Sequence, residues 1–203
     1  MTTDILETPP ALTRSKRLKA ATHAAHDGLD RAIMDYEPFS SRERYSQFVK
    51  VQHAFHRDFD ALYDNAALDV LLPDLQGRRR MPLIEQDLAD LGADPVAFSS
   101  VPVFAAGETA DLPTALGWLY VAEGSNMGAA FLLKWAKEKL DLSETFGARH
   151  LAGAPEGRGL HWRTFTAALN EVDLSEAEEA RVVAGAETAF GRVSGLVRDV
   201  LAR

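Results

Sequence analysis

The chain has 203 residues, 46 % of them hydrophobic and 26 % charged, with a net charge of -8 and no cysteine. That is chain enough for one domain with a sizeable core. The acidic balance argues against general nucleic-acid binding, and the missing thiols exclude disulfides, thiolate catalysis and Cys-ligated zinc or iron–sulfur centres.

Residues 1–12 read as a loose tail, because Pro9 and Pro10 rule out a regular helix; the domain is expected over 13–203. They show neither the apolar core nor the cleavage pattern of a secretory signal. No run approaches the length of a membrane span. A cytoplasmic protein with no membrane partner is expected, and a monomer is the simplest state.

From Thr13, the residues Leu18, Ala21, Ala25, Leu29 and Ile33 recur at helical spacing. A second helix follows Pro38, with Ser40 as N-cap and Glu43 reaching back to it. Its apolar stripe is Phe48, Val51, Phe55, Phe59 and Leu62. A third helix is predicted over 81–91, stopped by Gly92. After a loop at 93–110 come a long helix over 111–140 and another over 158–171. The last starts at the capping box Ser175–Glu178 and runs to the C-terminus. Alternating β-branched runs are nearly absent, so the fold class is all-α, in one domain.

Two stretches carry chemistry. In the first helix His26 lies on the apolar side, and Asp30 stands one turn later on the same face. A carboxylate there accepts Nδ1–H, directly or through water, and leaves Nε2 free for a metal. An ordinary surface pair has the same spacing. In the long helix Gly124 and Gly128 share a face that Ser125 and Ala129 extend. Two glycines inside a helix cost about 1 kcal/mol each relative to alanine. Either something flat lies close against that face, or another helix packs there. His150 and His161 read as loop or surface residues, and Trp162 and Phe165 as core.

The tract GWLYVAEGSNMGAAFL at 117–132, followed by Phe146-Gly147-Ala148-Arg149-His150-Leu151, resembles the distal helix of bacterial haem oxygenases, in particular the iron-acquisition group of Gram-negative bacteria. RLKAATHAAHDGLD at 17–30 resembles their proximal helix, with His26 at the ligand position and Asp30 where an acidic residue usually stands. EPFSSRERYSQFV at 37–49 resembles the start of the next helix. The likeness covers residue 14 to the C-terminus.

The resemblance implies a helical bundle that holds haem b between a proximal helix and a kinked distal helix. It implies oxidative opening of haem to biliverdin, carbon monoxide and ferrous iron, with O2 and electrons from a ferredoxin or flavoprotein reductase. His26 would ligate the iron, and the backbone around Gly124, Ser125 and Gly128 would work with ordered water on the distal side. Gln52 and His56 are candidates for the same water network. Lys16, Lys19, His23 and Tyr120 would border the haem, and Lys19 with Tyr120 would hold a propionate. That pair, together with Met34 and Trp135 where a relative with rotated haem carries lysines, implies the IXα isomer of biliverdin. The alternative on the same fold is a haem-binding or haem-transfer protein without turnover.

Overall fold

The computed structural model describes residues 12–97 and 101–201, so of the expected tail only Leu12 falls within it. Among the described residues there are seven α-helices and no strand: α1 (Arg14–Asp35), α2 (Arg42–Arg57), α3 (Ala66–Leu71), α4 (Met81–Asp90), α5 (Leu112–Leu140), α6 (Arg158–Glu171) and α7 (Glu176–Leu201). The fold is all-α, as expected.

The helix ends follow local chemistry. Ser175 and Glu178 form the predicted reciprocal cap: the Ser175 amide donates to the Glu178 carboxylate at 2.8 Å, and the Glu178 amide donates to Ser175 Oγ at 3.4 Å. The predicted cap of α2 is one residue out. Ser41, not Ser40, accepts from the Arg44 amide at 3.2 Å, while the Ser40 hydroxyl donates to the Glu37 carbonyl. Asp111 caps α5 at the Thr114 amide, 3.1 Å, with Pro113 in the first turn. α4 ends before Gly92, whose φ of 62° is the left-handed stop expected there.

α5 and α7 are the central pair, and their crossing rests on two glycines. A methyl on Gly117 would lie 2.2 Å from the Val182 carbonyl oxygen, and one on Gly185 would lie 2.5 Å from that of Thr114. Only bare backbone lets the axes approach so closely. Around this crossing Trp118 packs on Phe55, Phe59 and Phe104. A second cluster joins Phe39, Tyr45 and Phe48 to Ile84, Leu88 and the end of α5.

α1 is pinned at its first turn. Buried Arg14 pairs with Glu179 at 2.7 Å and donates to the carbonyls of Leu169 and Val172. Leu18 and Thr22 then face the core, but the helix leaves it at His23. Ala21 and Ala25, predicted on the apolar stripe, are exposed; Leu29 and Ile33 are half-buried. α5 does the same. Every residue from Ala115 to Glu123 is buried, whereas Ser125, Met127, Gly128, Ala130 and Phe131 are exposed. Two helices therefore carry small or apolar residues into the open halfway along their length.

Candidate functional site

The exposed half of α1 presents His26. Its side chain is 58 % exposed, and Nδ1 lies 3.4 Å from an Asp30 carboxylate oxygen and 3.6 Å from one of Asp27. Its ring meets Phe190 of α7 edge-on at 6.2 Å. Asp27, which spacing did not single out, also lies 3.4 Å from Nδ1 of His23. Carboxylates thus gather on the Nδ1 side of His26, the arrangement that leaves Nε2 available as a ligand. Among the described residues no group of three or more His, Asp or Glu side chains stands ready to hold a metal ion. An ion at His26 would need its other ligands from the molecule that carries it.

The exposed half of α5 is a wall of little relief. A side chain begun at Gly128 would meet nothing within 4 Å, and one at Gly124 would meet only the edge of Trp162, at 3.6 Å. The close helix packing that small residues permit is at Gly117 and Gly185, not here. That contrast removes the packing explanation for Gly128. The Ser125 hydroxyl turns back along the helix and donates to the Ala122 carbonyl at 2.7 Å, so the wall stays flat. Both glycines lie inside a helix that is continuous from Leu112 to Leu140. Met127 and Phe131 give the wall exposed apolar surface. An imidazole with a free Nε2, and a helix face stripped of side chains, suit a flat, apolar, iron-bearing macrocycle.

The other predicted residues are more scattered. Lys16 and Lys19 are exposed on α1. Tyr120 is buried against Trp162, ring centres 5.5 Å apart, and burial pushes its phenol above the usual range. Gln52 is half-buried and His56 buried.

Two histidines correct the sequence reading. His150 and His161 are each 6 % exposed rather than on the surface. His150 Nδ1 lies 2.7 Å from Asp87, which also accepts from the backbone amides of Arg149 and His150. Burial pushes the Asp87 carboxyl up, but these bonds outweigh it and hold the group below its ordinary range. His161 Nδ1 lies 2.7 Å from Glu156, and its Nε2 is 3.6 Å from Glu123. His150 found its partner far along the chain, His161 its nearest one five residues back. Trp162 and Phe165 pack on the core as expected.

His56 is the most perturbed of these groups. Burial above all, with His150, Arg80 and His53 nearby, holds its imidazole down at about 3. Its Nδ1 is buried without a protein partner, as are His53 Nδ1 and His150 Nε2. In the unfolded chain His56 titrates near the ordinary ~6.5, so there the unfolded state binds the extra proton. Stability should therefore fall as pH drops from ~6.5 toward 3, by up to about 1.4 kcal/mol per pH unit from this group. Urea titrations of the wild type and His56→Leu across this range should show a shallower acid loss in the variant; equal slopes would show that His56 does not stay neutral.

Comparison with known proteins gives one consistent result. The profile of the family described as Heme oxygenase matches residues 12–199. The chain is 43 % identical over 189 residues to Heme oxygenase PigA of Pseudomonas aeruginosa, covering 93 % of each chain. It is 30 % identical over 150 residues to a heme oxygenase of Xanthomonas campestris, covering 73 % of this chain and 85 % of that one. In three dimensions it resembles the NO- and CO-bound heme oxygenase of Neisseria meningitidis, with a TM-score of 0.87 and 43 % identity, over 95 % of this chain and 94 % of that one. The haem-free heme oxygenase 2 of Chlamydomonas reinhardtii, at a TM-score of 0.73 and 15 % identity, shares the fold.

Proposed function

The chain belongs to the haem oxygenase family, and on that premise we propose that it opens haem held between His26 and the Gly124–Gly128 face of α5. Haem degradation is its activity. The observation that carries the site is the shared emergence of α1 and α5 from the core, one bearing an imidazole and the other a bare wall. Haem is the substrate, and when bound it also supplies the iron that activates O2.

The protein's part is to hold and orient. His26 binds the iron through Nε2. Asp30 and Asp27 fix its tautomer from the Nδ1 side and raise its basicity. A neutral imidazole there would give the iron less electron push than a thiolate would. Opposite it, the backbone at Gly124 and Ser125 keeps acidic side chains away from the reacting edge; ordered water supplies protons. Gln52 and the neutral His56 belong to that water network.

Lys16 and Lys19 pair with the propionates, and Tyr120 joins Lys19 in fixing the in-plane seat; His23 lines the edge. The product is biliverdin IXα with carbon monoxide and ferrous iron. Electrons come from a ferredoxin or a flavoprotein reductase. The enzyme acts as a cytoplasmic monomer.

The test is to add haem, an electron-donor system and air, and to follow the Soret band. Loss of the band with release of biliverdin and chelatable iron is expected. A stable band under turnover conditions marks a carrier instead. Replacing Lys19 and Tyr120 together, Lys19→Ala with Tyr120→Phe, should turn one biliverdin isomer into a mixture on chromatography. An unchanged single isomer would remove these residues from the seat.

A further inference from the structure

Three contacts reach α5 within one turn of the bare wall. The Glu123 carboxylate is 2 % exposed and pairs at 2.8 Å with Arg78, also 2 % exposed. Arg78 donates in addition to the carbonyls of Pro73 at 3.0 Å and His161 at 3.3 Å. One guanidinium thus ties α5 to α6 and to the segment before α4. At Gly124 the Trp162 edge stands 3.6 Å from where a side chain would begin. At Asn126 the Arg158 guanidinium donates to the main-chain carbonyl at 2.7 Å, and it also donates to the Leu151 carbonyl. A charged donor on a carbonyl inside a helix draws that carbonyl out of line and fixes its direction.

Stability does not explain the cluster. Two charges taken fully out of water repay their desolvation poorly, and an apolar pair of equal volume often does as well. What such a pair gives is direction. Apolar packing alone sets the distance of a smooth wall only loosely, since a gap of ~0.5–1 Å forfeits part of each contact without favouring another place. In a reaction steered by geometry a 1 Å misplacement costs on the order of 10²-fold.

We propose that Arg158 and the Arg78–Glu123–His161 cluster are positioning residues, which set from behind where the 124–128 backbone stands over the haem. This rests on the haem seat described above. His161 is steadied from its other nitrogen by Glu156, at 2.7 Å. The linkage therefore runs from the surface to the distal wall, through α6, without any group that touches substrate.

Two variants test it. Arg158→Met keeps the aliphatic stem and removes the donor at a half-buried site. Arg78→Met with Glu123→Leu removes the buried pair together, because removing one partner strands the other charge. Three readouts are taken: the thermal midpoint of the haem-free protein, the pH midpoint of the ferric haem spectrum, and the biliverdin isomers. The haem-free midpoint should stay within about 4 °C of the wild type. The spectral midpoint should move by about one pH unit, and one isomer should become several. Arg158→Lys should restore part of both.

Wild-type spectra and a single isomer in folded Arg158→Met overturn the proposal, whatever the double variant does. His26→Ala is run beside them. A wild-type haem spectrum in that variant marks failure of the seat itself; an altered one, with wild-type behaviour in both positioning variants, marks failure of this inference alone.

Discussion

His26→Ala should abolish the normal ligand-field spectrum of the ferric haem complex and bring biliverdin formation down to background. The loss should be chemical rather than structural. The side chain is more than half exposed on a helix, and alanine is the better helix former by up to ~0.7 kcal/mol, so the haem-free variant should melt no lower than the wild type. The effect is large because the remaining histidines off α1 cannot take its place: His150 and His161 are buried on other elements, and His53 and His56 belong to α2. Imidazole added to the solution should enter the space left by the side chain and return part of the spectrum. Asp30→Asn should act more gently, since Asp27 also reaches Nδ1. The measurement is the ferric absorption and electron-paramagnetic spectrum together with turnover. If both survive in His26→Ala, the ligand is elsewhere. His23, one turn earlier and paired with Asp27, is then the residue to replace.

The helices were legible because their signals are local. The Ser175–Glu178 box, Asp111 with Pro113, and Gly92 act within a few residues of themselves, and the apolar period of α2 is carried by neighbours in sequence. Two adjacent serines were enough to move the α2 cap by one residue. α3 was missed because six residues are too few to display a 3.6-residue period. The site was legible only in part, for a related reason. A pattern shows that a helix face is apolar but not what covers it: Ala21 and Ala25 continue the α1 stripe, yet they lie open. Nor does a glycine announce its purpose. Gly117 and Gly128 stand in the same helix; one touches the backbone of α7 and the other touches nothing. Burial of a polar residue depends on its partner. Asp87 and His150 are 63 positions apart, which no local reading joins.

Gly128→Leu should separate stability from binding, and the two effects should have opposite signs. A side chain begun at Gly128 finds open space, so leucine needs no repacking. Inside a helix it should gain about 0.8–1 kcal/mol over glycine in propensity. The haem-free variant should therefore melt at or above the wild-type temperature. The same side chain stands out from the wall into the space assigned to the macrocycle. Haem affinity should drop by about 100-fold or more, equivalent to about 2.7 kcal/mol, in a Soret titration. A larger residue at a packing contact behaves otherwise: it strains the fold and loses stability first. That is what a side chain at Gly117 should do, with its backbone neighbour at 2.2 Å. Gly124→Ala falls between the two, since its methyl would rest in ordinary contact with Trp162 at 3.6 Å and should cost haem affinity less than tenfold. Full haem affinity in Gly128→Leu, with an unchanged melting temperature, would leave that face of α5 without a ligand. The same titration thus decides whether the bare half of α5 is a binding wall or plain solvent-facing helix.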